Sequence, residues 1–73
     1  MGRLPEAIQQ FEAALQIVPG MAEAHCNLGI ALEQSGKLSE AMTHYQEALQ
    51  LKPGYAEAQT RLAALRARAG TTP

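Results

Sequence analysis

Residues 22–55 read AEAHCNLGIALEQSGKLSEAMTHYQEALQLKPGY, and parts of this pattern recur in the chain on either side. When the sequence is compared with itself at a shift of 34 residues, Gly2 falls on Gly36 and Pro19 falls on Pro53. Of the 27 residue pairs that start at Gly2, 13 are identical. A fixed period of this length is typical of a solenoid built from stacked repeats and not of a closed globule.

Proline and glycine divide the chain into helical segments. Pro19 and Pro53 cannot extend the helices that precede them, and Gly36 lies where a helix can end in the left-handed conformation without a steric penalty from a Cβ atom. Between these positions the apolar residues follow the spacing of a helix, and no segment has the alternation of a strand. The predicted helices span about residues 4–17, 22–35, 38–51 and 56–69, so the predicted fold class is all-α.

The 34-residue unit resembles the tetratricopeptide repeat, a helix–turn–helix unit of the same length. The residues that carry the resemblance are a Leu-Gly pair, two alanines, an aromatic residue and a helix-ending proline: Leu28, Gly29, Ala41, Ala48, Tyr45 and Pro53. Two positions depart from the family pattern, because His25 stands where tryptophan is usual and Leu32 stands where tyrosine is usual. The resemblance implies a right-handed superhelical solenoid of antiparallel helix pairs, here with four helices.

The resemblance also divides the chain, which we expect to be a single repeat domain over residues 1–73. Its expected parts are the second half of a repeat (2–21), one complete repeat (22–55), a C-terminal capping helix (56–69) and a tail (70–73). Arg66 in the last helix occupies the position that matches Leu32 one repeat earlier. A polar outer face of this kind is what the terminal helix of a solenoid needs.

The first predicted helix has no first-helix partner before it, so we expect its apolar side to be partly uncovered. That side consists of Ile8, Phe11, Leu15 and Val18, which are the predicted self-association residues. Two possibilities stay open. Either the natural protein continues before Met1, or the uncovered face binds a second chain and gives a homo-oligomer.

The composition argues against several classes of function. The 73 residues include six Lys and Arg against seven Glu, for a net charge of −1, and only three aromatic residues. Binding to nucleic acid or to an anionic membrane would need a clear basic excess. The single cysteine, Cys26, rules out an internal disulfide, and no run approaches the roughly 20 apolar residues of a membrane span. We expect a cytoplasmic protein with no nucleic-acid or membrane partner.

No catalytic, cofactor or metal site is predicted. The chain has no aspartate, its only serines are Ser35 and Ser39 beside a turn, and no glycine-rich phosphate loop is present. A nucleophile, a base and an orienting group therefore cannot be assembled. His25 and Cys26, with His44 as a third ligand, do not predict a metal site, because adjacent helical residues diverge by about 100°. His25 is instead expected to fill the tryptophan position of the repeat, so we expect a protein that is not an enzyme and holds no cofactor.

The resemblance implies a binding surface on the concave face, which the first helices of successive repeats line in this family. The predicted peptide-binding residues on this surface are Glu23, Asn27, Ile30, Gln34, Glu57 and Arg61. Asn27 stands out because similar arrays, which precede O-linked N-acetylglucosamine transferase-type enzymes, carry asparagines there that hold peptide backbone, and an amide both donates and accepts. Asn27 followed by Arg61 also resembles the carboxylate clamps of other members, but Glu57 stands where those clamps have lysine.

These patterns predict a protein–protein interaction scaffold that binds a peptide or a partner protein through the concave face of the array. Two alternatives stay open. The chain is a substrate-docking or regulatory segment of a larger, glycosyltransferase-like enzyme, or it is a self-assembling structural unit.

Overall fold

The computed structural model describes residues 3–70, and the side chains of residues 3–68. Within this range the chain forms four helices and no strand: α1 (Leu4–Ile17), α2 (Ala22–Gln34), α3 (Leu38–Leu51) and α4 (Ala56–Gly70). The prediction of an all-α helical repeat is confirmed, and the predicted helix ends differ by one residue only, at the C-termini of α2 and α4. Apart from Gly70, the predicted tail lies outside the described residues. None of the four described helices is long and apolar enough to cross a membrane.

The turn between α2 and α3 depends on Gly36, as the sequence predicts. Gly36 has a φ angle of +84°, in the left-handed region that favours glycine. Its N–H donates to the carbonyl of Glu33 at 3.0 Å, and the N–H of Lys37 donates to the carbonyl of Leu32 at 2.9 Å. This pair of bonds is the Schellman motif, which satisfies the carbonyl groups at the helix end. It reverses the chain within a few residues and makes α2 and α3 an antiparallel pair.

The ends of α1 and α3 repeat each other in structure as they do in sequence. The N–H of Val18 donates to the carbonyl of Ala14 at 2.9 Å, and the N–H of Lys52 donates to the carbonyl of Ala48 at 2.8 Å. Each of these bonds is followed by a Pro-Gly pair, after which the next helix begins. The same turn therefore places α2 after α1 and α4 after α3.

Helices α2, α3 and α4 share one hydrophobic core. Its buried members are Cys26, Leu28, Leu32, Ala41, Tyr45, Ala48, Ala58, Leu62 and Leu65. Tyr45 on α3 is fully buried and packs against Gly29 on α2, where an ideal Cβ atom would lie only 2.6 Å from the Cε1 atom of the ring. The absence of a side chain at Gly29 is thus what allows α2 and α3 to approach across the tyrosine ring.

Candidate peptide-binding groove

An open groove lies between the C-terminal half of α2 and one face of α4, and its volume is about 510 Å³. It is lined by Glu33 of α2 and by five residues of α4: Ala56, Glu57, Thr60, Arg61 and Ala64. The α4 residues follow the pattern i, i+1, i+4, i+5, i+8, which places them on one side of the helix. Alanine at two of these positions leaves the groove open, and the remaining side chains surround it with polar groups.

Arg61 is the only cationic residue among the described residues that line the groove. Its Nε atom donates to Oε2 of Glu57, one helical turn earlier, at 3.2 Å. Partial burial disfavours the charge on Arg61, but this hydrogen bond and the nearby carboxylates outweigh it and raise the pKa of Arg61 further. The guanidinium group therefore stays protonated, and its N–H groups can only donate hydrogen bonds.

Glu33 forms the opposite side of the groove and connects it to the core. Its Oε1 atom accepts a hydrogen bond from the hydroxyl group of Tyr45 at 2.8 Å, and its Oε2 atom lies 3.7 Å from Nη1 of Arg68 on α4. Burial and the hydrogen bond to Glu33 raise the pKa of Tyr45 far above its ordinary value, so Tyr45 remains a hydrogen-bond donor. The carboxylate of Glu33 is thus held in one place by a buried tyrosine.

The predicted peptide-binding residues are only partly brought together. Glu57 and Arg61 line the groove, while Glu23, Asn27 and Gln34 are exposed on α2 and do not line it. Ile30 is half-buried and packs against the core. The peptide-contact roles of all six residues stay predictions.

Sequence reasoning missed Glu33, although a signal for it exists. Glu33 follows Gly29 by four residues, which places both on one side of α2. Gly29 contacts the ring of Tyr45. Glu33, one helical turn further along the same side of α2, is therefore placed to accept a hydrogen bond from the hydroxyl group of that tyrosine. Recognising the Gly29–Tyr45 contact would have drawn attention to Glu33.

Three of the four predicted self-association residues lie on α1, which has no buried residue, and the fourth, Val18, is its C-cap. Ile8, Phe11 and Leu15 are half-buried and pack against the core, and Val18 is 46% exposed. Among residues 3–68, the most exposed large apolar side chain is Ile17, at 81%, which the sequence reasoning did not select. The role of α1 in self-association stays a prediction.

A second cluster of polar residues lies between α2 and α3, away from the groove. Nδ1 of His25 is 3.1 Å from Nδ1 of His44 and 3.4 Å from Oε1 of Glu47. Burial lowers the pKa of His44, and the neighbouring His25 lowers it further. Cys26 points into the core instead, where burial raises the pKa of its thiol. The two histidines thus come together as the sequence reasoning considered, without Cys26 and with Glu47, which that reasoning did not name.

Comparison with known families agrees with this architecture. One family model, described as the tetratricopeptide repeat, matches residues 22–55, and a second, described as the TPR repeat, matches residues 1–36. The two matches together span residues 1–55. A search among curated proteins finds no significant match.

Proposed function

We propose that the chain binds an extended segment of a partner protein in the groove between α2 and α4. The chain carries tetratricopeptide repeats, which are generally modules for protein–protein interaction. The family is typically non-catalytic. The proposal rests on one observation above all. Arg61 lines the groove, and its one side-chain hydrogen bond within the described part of the chain is donated by Nε, so its Nη donors are left for a bound segment.

The groove has donors and acceptors suited to a peptide backbone. An extended peptide presents alternating C=O and N–H groups along its length. Arg61 offers donors for the carbonyl groups, Glu33 and Glu57 offer acceptors for the N–H groups, and Thr60 can do either. Ala56 and Ala64 leave room for small side chains of the bound segment. Recognition of main-chain groups therefore suits this site better than recognition of one strongly charged side chain.

Loss of the Arg61 donors is expected to weaken peptide binding by about 10- to 100-fold, because a hydrogen bond to a charged group contributes about 1.5–3 kcal/mol. The measurement is fluorescence polarisation with a peptide selected from a display library on the wild-type chain, titrated against Arg61→Ala. The matched control is Arg66→Ala, which removes an exposed arginine from the same helix outside the groove. Equal affinity of the Arg61 variant and the wild type would contradict the proposal, as would the failure of any peptide to be selected.

The carboxylate-clamp alternative is tested with the same peptide. If Arg61 holds main-chain carbonyl groups, a peptide with an amidated C-terminus binds as tightly as the free acid. If Arg61 instead binds a terminal carboxylate, amidation removes most of the affinity, since a bidentate pair between arginine and carboxylate is then lost. Glu57, which is bonded to Arg61, favours the first result because its negative charge repels a second carboxylate.

Self-association is a second candidate function, and the exposed apolar surface at the end of α1 supports it. Ile17 and Val18 are 81% and 46% exposed. We expect sedimentation equilibrium at micromolar concentration to give a mass above that of one chain, and Val18→Glu to return it to one chain. Gln16→Glu is the control, because it adds the same charge at an exposed polar position of α1. A wild type that sediments as a single chain contradicts this candidate.

Val18 is a better probe of the interface than Phe11. Phe11 packs against the core of its own chain, so a charge at that position would also destabilise the monomer.

Four other expectations from the sequence stay predictions. They are the division of the chain at residues 22 and 56, its cytoplasmic location, the absence of a nucleic-acid partner and a place within a glycosyltransferase-like enzyme.

A further inference from the structure

The structure places three potential metal ligands at the junction of α2 and α3. They are His25 of α2 and His44 and Glu47 of α3. One ligand atom from each lies within 4.8 Å of the others. His44 and Glu47 are three residues apart on one helix, a spacing that directs both side chains to the same side. Helix α2 then supplies the third group from across the interface.

Two of the three distances among these atoms match those of a metal centre. Ligand atoms at about 2.0–2.1 Å from a zinc ion are about 3.3–3.4 Å apart when the coordination is tetrahedral. The distance from Nδ1 of His25 to Nδ1 of His44 is 3.1 Å, and to Oε1 of Glu47 it is 3.4 Å. The ligand atoms of His44 and Glu47 lie within 4.8 Å of each other, so a side-chain rotation that shortens this distance lets an ion enter between the three groups.

The other nitrogen of His25 is arranged as in a metal-bound histidine. Nε2 lies 3.2 Å from the carbonyl oxygen of Pro19, in the turn between α1 and α2. A carbonyl oxygen can only accept, so Nε2 carries the proton, and in the neutral ring Nδ1 keeps its lone pair. Donation from the second ring nitrogen to a backbone carbonyl is the usual means by which proteins orient a metal-binding histidine. The lone pair of His25 is therefore fixed toward His44 and Glu47.

The cluster is also accessible from solvent. His25 is buried, His44 is half-buried and Glu47 is exposed, so the groups form a path from the core to the surface. None of the three lines the peptide-binding groove. An ion here would join α2 to α3 without entering the groove.

We propose that His25, His44 and Glu47 bind one divalent transition-metal ion, with Zn²⁺ as the representative ion, and leave a fourth coordination position open to water. Two imidazoles and one carboxylate form a ligand set that suits zinc. The bound ion would link the two helices of residues 22–55 and hold the preceding turn through His25 and Pro19. It would stabilise the folded chain, because an ion that binds only the folded state shifts the folding equilibrium toward it.

The test is a calorimetric titration of ZnCl₂ into the chain after treatment with EDTA and buffer exchange. The proposal predicts one ion per chain, and a rise in melting temperature that EDTA reverses. Glu47→Gln and His44→Ala should each weaken the affinity by at least about tenfold, since even the loss of an outer-shell partner has an effect of 10- to 100-fold. Cobalt in place of zinc should give the intense visible bands of tetrahedral coordination in the wild type and not in these variants.

Two control variants test whether zinc binding is specific to these three side chains. Glu6→Gln removes an exposed carboxylate from the first turn of α1 and should leave zinc affinity unchanged. Cys26→Ala removes the buried thiol and should also retain binding. Far-UV circular dichroism in EDTA verifies that each variant is folded, and Glu47→Gln, at an exposed position, is the variant least expected to disturb the fold.

Several results would overturn the proposal. These are the absence of saturable zinc binding, equal affinity in the wild type and both ligand variants, or one ion per two chains. Either of the first two would leave His25 and His44 as a hydrogen-bonded pair that only joins the helices, and the third would place the ion between two chains. Peptide binding in the groove would be unaffected by these outcomes, so the metal site and the proposed function fail independently.

Discussion

Replacing Tyr45 with alanine is expected to lower the free energy of unfolding by about 3–5 kcal/mol, the range for removing a buried aromatic side chain. Tyr45 is fully buried at the centre of the core shared by α2, α3 and α4. Its removal leaves a cavity between the helices and takes away the hydrogen-bond donor of Glu33. A domain of this size has only about 4–11 kcal/mol of stability. The measurement is urea unfolding followed by far-UV circular dichroism.

Tyr45→Phe separates the packing of the ring from the hydrogen bond of its hydroxyl group. The phenylalanine variant keeps the ring against Gly29 and loses only the 2.8 Å bond to Glu33. Because Glu33 is partly exposed and water can replace the lost donor, we expect a loss of about 1–2 kcal/mol. A stability of Tyr45→Ala within experimental error of the wild type would show that the ring does not hold the helices together.

A methyl group at Gly29 is expected to lower the free energy of unfolding by about 1–3 kcal/mol, although alanine normally stabilises a helix relative to glycine. The added Cβ atom would lie 2.6 Å from Cε1 and 2.8 Å from Cδ1 of the Tyr45 ring. The ring is enclosed by the core and cannot move away without displacing its neighbours. The helices α2 and α3 must therefore separate slightly.

Gly54→Ala is the matched control, because a Cβ atom there meets nothing within 4 Å. It should leave stability unchanged or raise it slightly. A double-mutant cycle of Gly29→Ala with Tyr45→Ala provides the second check, because the cost of the new methyl group should be much smaller once the ring is gone. Additive effects in that cycle, or a Gly29 variant more stable than the wild type, would contradict the close approach of the two helices.

The fold could be predicted nearly in full because local chemistry and the repeat agree. Helices α1 and α3 each end two residues before a proline, Pro19 and Pro53, and Gly36 adopts the positive φ angle that its position predicted. The 34-residue period then places each helix against the next without further information. The single-residue differences at the C-termini of α2 and α4 reflect the choice of cap, which depends on backbone hydrogen bonds and not on residue type alone.

The groove was less predictable because it depends on how two helices are placed relative to each other. Glu57 and Arg61 were selected from their positions in the repeat, and both line the groove. Glu33 was not, because its place is set by a hydrogen bond to Tyr45, 12 residues further along the chain. Helical periodicity finds the residues that share one helix face, whereas partners on a second helix need the packing to be known.

The histidine pair illustrates the same limit. His25 and His44 are 19 residues apart and meet only because α2 and α3 are antiparallel. Reasoning from neighbours in sequence paired His25 with Cys26, and these two diverge as expected. The i, i+3 spacing of His44 and Glu47 was the available sequence signal for this cluster. It points to His25 only when the antiparallel arrangement of α2 and α3 is known.

The most direct test of the proposed function is an NMR titration of the chain, isotopically labelled at nitrogen, with a peptide selected on the wild type. If a partner chain binds between α2 and α4, the largest changes in amide chemical shift fall on Glu33 and on the α4 face from Ala56 to Ala64. The outer surface of α3, represented by Glu40 and Thr43, should remain unchanged. Changes concentrated on α3 or on α1, with the α4 face unaffected, would contradict the proposal that this groove is the binding site.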